Sequence, residues 1–553
     1  GRLKTVLRIL RDVPALDAAD LRLLQFASAY YHHPLGATVM NALPTRLRRA
    51  APAQQTAPAG YVLTPSGMRV TQEMLPARAA VRRRLLSLFQ QQGTLDLASI
   101  RATAVTAISA LRHLLEQGWV EPVERVPVPT PAPAPAQQTV AAGPALTAEQ
   151  ENSVTAIRAG LDGFHPFLLL GVTGSGKTEV YLRAIEAVLA AGRQALLLVP
   201  EIALTPQLEA MVRARFQGFH LVSLHSGLNE GERLRHWLAA QSGAARIVLG
   251  TRLAVFTPLP HLGLIIVDEE HDASYKQAEG LRYSARDLAV VRARQREVPI
   301  VLGSATPALE TYHNAVSGRY RLLVLARRIN STMPRIECVP TRDEKLQDGL
   351  SQRLIQAVAA RLERGEQSML FINRRGYAPV LMCHACGWLS SCHRCSAQLV
   401  LHLRERRLRC HHCGHQAAIP AACPECGNPA LAPLGQGTQR IETTLAERFP
   451  GARILRIDRD STRQRNAWQY MRDRIHAREV DILVGTQILA KGHDFPHLSL
   501  VGILNADSLL YSADFRAPER LFALLSQVAG RAGRSEVQGE VLVQTEFPGH
   551  PLY

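Results

Sequence analysis

The sequence predicts an α/β protein of two lobes, the second interrupted by a metal-binding insertion, with a small helical module in front. Three observations predict it. An apolar run, Phe167 to Leu170, feeds the glycine-rich turn Gly171-Val172-Thr173-Gly174-Ser175-Gly176-Lys177-Thr178, and a helical segment, Glu179 to Ala191, follows. Short continuous apolar runs alternate with helical segments twice along the chain, which is the pattern of parallel sheets covered on both faces. Eight of the nine cysteines fall into four C-x-x-C pairs within one short region.

Bulk properties set the frame. A chain of 553 residues exceeds one hydrophobic core, so three or four units are expected. The net charge of +17 is carried almost entirely by arginine, the only lysines being Lys4, Lys177, Lys276, Lys345 and Lys491. An excess of this size favours a polyanionic partner held less tightly as salt rises. No apolar run is long enough to cross a bilayer, so no membrane association is expected. Clustered C-x-x-C pairs indicate metal binding in a reducing compartment, here the cytoplasm. The chain opens on Gly1-Arg2-Leu3 with neither Met nor a signal-peptide pattern.

Taken in order, residues 1–45 carry helical spacing around Leu21, Leu24, Phe26 and Tyr30, and end in a turn at Pro34-Leu35-Gly36. Arg46 to Gly60 is rich in Ala, Pro and Gln and reads as a linker. Residues 60–129 give a basic helix with Val81, Leu85, Leu86 and Leu88, a shorter segment from Leu95 to Ile100, a helix from Val105 to Gln117 and a Val-rich tail. Three helical pieces and a strand fit a winged-helix-like DNA-binding domain, or equally a small helical packing module. A Pro/Ala linker spans 130–145. In the first lobe, 146–335, strands are expected at Phe167–Leu170, Ala195–Val199, Leu221–Leu224, Arg246–Leu249, Leu264–Val267 and Ile300–Leu302. In the second, 336–553, they are expected at Ser368–Ile372, Arg453–Ile457, Asp481–Val484, Leu498–Leu504 and Glu540–Gln544.

The glycine-rich turn fits the P-loop pattern in its required strand–loop–helix setting. Gly171, Gly174, Ser175 and Gly176 offer backbone N–H groups to a phosphate chain, Lys177 reaches its terminal phosphates and Thr178 holds Mg²⁺. Leu264-Ile265-Ile266-Val267 delivers Asp268-Glu269-Glu270-His271 at a strand end, placing Asp268 on the metal and Glu269 on the attacking water. This strand is expected beside the P-loop strand. Gln150 has donors and acceptors to match an adenine edge. Pro200 to Thr205, Gly250-Thr251-Arg252 and Gly303 to Pro307 end strands on the same side, where ligand contacts gather. Their hydroxyls and Arg252 suit a nucleic-acid backbone, or helix capping.

The cysteine pairs Cys383/Cys386, Cys392/Cys395, Cys410/Cys413 and Cys423/Cys426 match two Cys₄ zinc sites. A hairpin predicted from Leu399 to Arg409 brings Cys392/Cys395 beside Cys410/Cys413, leaving the outer pairs to close the base of the insertion, 381–430. Iron–sulfur clusters are the chemical alternative. Cys338 stands alone.

The set GVTGSGKTE, PEIALTPQ, DEEHDASYKQ and GSATPALET resembles the superfamily 2 helicases, most closely the bacterial replication-restart helicases of the primosomal protein N′ type. The resemblance covers nearly the whole chain and implies two RecA-like helicase lobes and nested zinc pairing. It implies that His271 to Asp287 is an aromatic-rich loop coupling DNA binding to ATP hydrolysis, with Leu281 where some members carry an aromatic. Tyr275, Lys276, Arg282, Tyr283 and Arg286 interleave rings with cations, which suits stacking on single strands. Phe371 to Gly376 and Gly485-Thr486-Gln487 with Lys491-Gly492-His493-Asp494 resemble second-lobe motifs. Gln527 to Arg534 resembles the segment supplying arginine fingers, Arg531 and Arg534. The family implies a 3′–5′ DNA helicase using ATP, Mg²⁺ and two Zn²⁺. It would act in the nucleoid on forked and single-stranded DNA with single-stranded-DNA-binding protein, primosome proteins and the replicative helicase. An RNA helicase, or a DNA-binding assembly factor with a degenerate motor, are the alternatives. Tyr30 to Pro44 resembles the end of the family's N-terminal domain that binds a 3′ DNA end, so residues 1–45 are expected to be a remnant of it with most of the domain missing, and the family continues beyond Tyr553. Both differences are expected to weaken fork recognition more than ATP hydrolysis.

Overall fold

A computed structural model describes residues 15–48, 60–76, 79–104, 106–123, 138–200, 205–329, 333–372, 380–383, 385–395, 398–402, 405–410, 412–433, 438–457, 461, 467–486, 489, 495, 497–510, 514–533 and 538–553. The chain divides into two units: Gly1–Ala15 with Leu43–Thr139, and Leu16–Ala42 with Val140–Tyr553.

In the smaller unit, helices Ala80–Gln92 and Ala107–Glu116 form where helical spacing predicts them, while the segment expected from Leu95 to Ile100 is a helix only from Leu97 to Thr103, Leu95 pairing in a strand. Strand Gly60–Leu63 pairs antiparallel with Thr94–Leu95 on one side and Val120–Val123 on the other. Leu85, Leu86, Phe89, Ile100, Leu111 and Leu114 close one core beneath this sheet. Leu85 and Leu86 lie four and three residues before Phe89, and Leu111 three before Leu114, so each of these two helices turns one apolar face to the core.

In the larger unit, the first lobe is built on a seven-stranded parallel sheet. Its order is Arg321–Leu325, Pro166–Gly171, Ile300–Ser304, Leu262–Asp268, Gln194–Leu198, Ile247–Gly250 and Leu221–Leu224. The six predicted strands form, and Arg321–Leu325 is added at the edge. Ile300–Ser304 lies between the P-loop strand and the acidic strand, which corrects the expectation that those two are neighbours. The motifs still converge, because all three strands run parallel and end on the same side. Apolar side chains fill both faces of this sheet, Leu169, Leu197 and Ile266 on one and Leu196, Ile265 and Val267 on the other. Alternate residues of one strand thus enter different cores, which is why these strands are apolar throughout.

Leu23, Leu24 and Ala27 of helix Ala18–Tyr30 belong to the core of this lobe. The fully buried Arg292 donates to Val255 O at 2.8 Å and Thr257 O at 2.6 Å, and lies 3.8 Å from Asp20. Arg296 bonds Asp17 and Asp20. Leu16–Ala42 therefore folds as part of the first lobe and not as a separate body, because its buried apolar face, Leu23, Leu24 and Ala27, is covered by that lobe's core.

The second lobe carries a six-stranded parallel sheet in the order Arg335–Pro340, Glu540–Thr545, Leu498–Leu504, Gln367–Ile372, Ile482–Gly485 and Ile454–Ile457. Arg335–Pro340 is the strand that the apolar pattern did not predict. Two cores again cover the sheet. The insertion forms small antiparallel pairings, with Leu399–His402 against Arg407–Cys410, as the hairpin reading requires. It has a separate apolar cluster of Leu381, Leu399, Leu401 and Leu408 with Cys392 and Cys410. Among the described residues, no helix is long and apolar enough to cross a membrane.

Candidate nucleotide site, zinc centres and nucleic-acid face

The P-loop takes its shape from glycine. Gly174 and Gly176 sit at φ 85° and 79°, a backbone conformation that side chains disfavour. A Cβ on Gly171 would fall 2.6 Å from Ser175 Oγ and 2.9 Å from Lys177 Cγ. Gly176 caps helix Lys177–Ala190, so its N-terminus points into the loop, as an anion site requires. Lys177 Nζ donates to Gly171 O at 2.8 Å. Ser175 Oγ is buried without a partner among the described residues, which fits a loop built to hold a phosphate chain.

Gln150 is only 2 % exposed, and its amide is already committed. Its Oε1 accepts from Thr147 N at 2.9 Å, closing a capping box, and its Nε2 donates to Ser175 O at 3.0 Å. In this arrangement it braces the P-loop instead of offering an edge to adenine.

Asp268 ends its strand beside Gly303 of the next one. Glu269 follows at φ 46°, which turns the chain sharply out of the strand. Burial and the charge of Glu269 push the Asp268 carboxyl up to about 6, against Lys177 and the Tyr181 hydroxyl. The acid form is therefore favoured below that value, where a proton competes with any divalent ion. Affinity for Mn²⁺ without nucleotide, titrated calorimetrically, is expected to fall about tenfold per pH unit below about 6 and to level off above. The donor set of Thr178, Asp268 and Glu269 beside Lys177 suits Mg²⁺ carried on a triphosphate.

Lobe two reaches this site. A Cβ on Gly530 would meet Thr173 of the P-loop at 2.8 Å. Gln527 Nε2 lies 3.0 Å from His271 Nε2 and 3.4 Å from Glu269 Oε2, while His271 Nδ1 bonds Ser304 Oγ at 2.8 Å. Arg531, next to Gly530, is buried; Arg534 lies outside the described residues. On the outer rim, Glu310 accepts from Arg286 and from Arg516 of the second lobe, and Leu309 N donates to Glu519. Glu310 and Arg516 were not singled out in the sequence, because each matters only through a partner on the other lobe; Gln527 was noted only as the first residue of the arginine segment.

The aromatic-rich loop differs from its sequence reading. Tyr275 and Tyr283 are 2 % and 0 % exposed. Tyr275 Oη donates within reach of both Asp268 O (2.7 Å) and Leu198 O (3.0 Å), and Tyr283 packs edge-on to Phe256. Leu281 is buried with them. These rings anchor a small hairpin, closed by pairing of Lys276 with Ser284, and are not free to stack on bases. Lys276 and Arg282 remain on its exposed side, with Lys276 Nζ over the Tyr31 ring at 5.1 Å. Tyr31 Oη accepts from Ser284 N, so the N-terminal helix supports the hairpin. Arg252 Nη1 donates to Ser274 O and Lys276 O, bracing the same loop. Arg286 is engaged by Glu270, Asp287 and Glu310, which leaves it little capacity as a DNA clamp. Thr251 and Thr486 sit half-buried at strand ends; Lys491 lies outside the described residues.

The cysteines assemble as two separate quartets, Cys383/Cys386/Cys423/Cys426 and Cys392/Cys395/Cys410/Cys413, with all sulfurs of a set within 4.8 Å of one another. Neighbouring Sγ atoms across each set are 3.5 Å apart, too far for disulfides. A tetrahedron with Zn–S near 2.3 Å has edges of about 3.8 Å, so the cages fit zinc. Burial opposes ionisation of Cys410, yet the Cys413 and His412 N–H groups bring it down to about 6.

Comparison with known proteins follows the same division. The family model described as DEAD/DEAH box helicase matches residues 147–315, and the helicase conserved C-terminal domain matches 434–536. The PriA DNA helicase Cys-rich region matches 392–417, and a 3′DNA-binding domain matches 1–44. Replication restart protein PriA of Haemophilus influenzae is 41% identical over 563 residues, covering 100% of this chain and 75% of that protein. The chain belongs to the PriA family. PriA of Chlamydia trachomatis is 39% identical, over 96% of this chain and 71% of the relative. Against PriA of Bacillus subtilis the identity is 45%, over 73% of this chain but 51% of the relative. The two lobes, the cysteine insertion and the N-terminal helix of this PriA-family chain thus each have a counterpart among the family descriptions.

Proposed function

We propose that this chain is an ATP-dependent DNA helicase that moves 3′ to 5′ at stalled or repaired replication forks. It prepares them for reloading of the replicative helicase, in the cytoplasm and in company with single-stranded-DNA-binding protein and other primosome proteins. The close approach of Gly530 to Thr173 supports the motor part of this reading, because it brings the second lobe against the phosphate loop of the first, and the similarity to replication restart protein PriA supports the restart role. Arg531 and Arg534 then act as the cationic trigger, and hydrolysis is tied to relative motion of the lobes. Lys177 and the loop N–H groups hold the phosphates, Thr178 and Asp268 the Mg²⁺, and Glu269 orients water. Bound Mg·ATP supplies the free energy of the cycle. Lys276, Arg282, Thr251, Thr486 and Lys491 are assigned to the nucleic-acid backbone, and residues 60–129 to a second, winged-helix-like DNA contact.

The test is strand displacement on forked DNA whose single-stranded arms differ in polarity. Unwinding is expected only with ATP, and only when the loading strand allows 3′-to-5′ travel. ATPase stimulation by DNA but not by RNA of the same sequence is expected alongside. Equal stimulation by RNA would make it an RNA motor, and binding without hydrolysis would leave an assembly factor.

A further inference from the structure

The phenol of Tyr181 is buried one turn beyond Lys177 on the same helix. Its Oη donates to Asp268 Oδ1 at 2.9 Å. Room for it comes from Gly303, where a Cβ would fall 1.6 Å from that oxygen, so any side chain there would expel the hydroxyl. A buried phenol needs only one acceptor, and a backbone carbonyl suffices, as Tyr275 demonstrates with Asp268 O, Leu198 O lying within reach of the same hydrogen. Tyr181 instead takes the side chain of the acid at the strand end, while Tyr275 bonds the carbonyl of the same residue. Carboxylate and backbone of Asp268 are thus fixed from two elements at once.

We infer that Tyr181 is a positioning residue, holding the Asp268 carboxylate in the rotamer that receives the divalent cation, with Gly303 as the space that admits it. The inference rests on the nucleotide reading above and adds to it a residue in the P-loop helix. The hydrogen bond commits one carboxylate oxygen, so the side chain need not be ordered when the ion arrives.

The test is Tyr181→Phe in the whole chain, which keeps the ring and removes only the donor. Mn²⁺ binding to the protein with ADP, read from the spin signal of free Mn²⁺, is expected to weaken about 10- to 100-fold. ADP binding in EDTA is expected to stay within about twofold, and the Mg²⁺ level for half-maximal hydrolysis to rise with the Mn²⁺ constant. Gly303→Ala, displacing the hydroxyl sterically, is expected to weaken Mn²⁺ binding as well. Unchanged Mn²⁺ affinity in Tyr181→Phe would overturn the inference. So would an equal loss of metal-free ADP binding, which would mark a packing fault. A wild-type chain that binds no Mn²⁺ with ADP would remove the nucleotide reading and this inference with it.

Discussion

Lys177→Ala is expected to lower the rate of ATP hydrolysis by about 10²- to 10³-fold, with unwinding lost and DNA binding kept. The ammonium donates to Gly171 O and acts electrostatically on Asp268, at a loop where the buried Ser175 hydroxyl has no partner among the described residues. Negative charge shifts along the phosphate chain in the transition state, and a fixed cation in a partly dry cleft offsets it best there. The substitution removes that cation without touching the sheet, since Lys177 contributes to neither apolar cluster of the first lobe. Hydrolysis with and without DNA, and anisotropy of labelled DNA on the same samples, check both halves. A variant that hydrolyses ATP near the wild-type rate would show that the loop is not the motor's phosphate site.

How much was legible in the sequence follows from how locally each feature is encoded. The P-loop, the acid-ended strand and the cysteine quartets were readable because glycine spacing, apolar runs and C-x-x-C pairs each depend on a few consecutive residues. Two strands of the parallel sheets were not. Arg321–Leu325 is an edge strand with Arg321, Leu322 and Val324 exposed, and Arg335–Pro340 is an edge strand broken by Arg335 and Glu337. An edge has one covered side, so the continuous apolar signature fades. Tyr275 and Tyr283 were misread because rings alternating with cations describe both a stacking platform and a hairpin pinned by its rings. Only burial separates the two. Gln150 matched an adenine-reading role, yet its place in the capping box with Thr147 is equally a matter of spacing. Tyr181 carried one local clue, four residues after Lys177 and so on the same helical face. Its meaning depends on a glycine in a distant strand.

Replacing Cys410 by Ser is expected to reduce bound zinc from two ions per chain to one and to unfold the outer half of the insertion. Cys410 is fully buried, ends the strand paired with Leu399–His402, and belongs to the small cluster with Leu401 and Leu408. That cluster is far too small to fold by burial alone, whereas a structural zinc contributes roughly 10–16 kcal/mol at neutral pH. The metal therefore holds the hairpin, and amide exchange across 399–410 is expected to rise to that of an unfolded segment. Hydrolysis of ATP without DNA is expected to stay within about twofold, because each lobe is closed by its own pair of cores and none includes a zinc cysteine. Cys383→Ser is expected to remove the other ion and loosen the base of the insertion, since Cys383 pairs through its strand with Leu431. Metal analysis by mass spectrometry counts the ions, and iron in place of zinc would replace the structural-zinc account. Loss of both ions from either single change would show that the two cages fold as one.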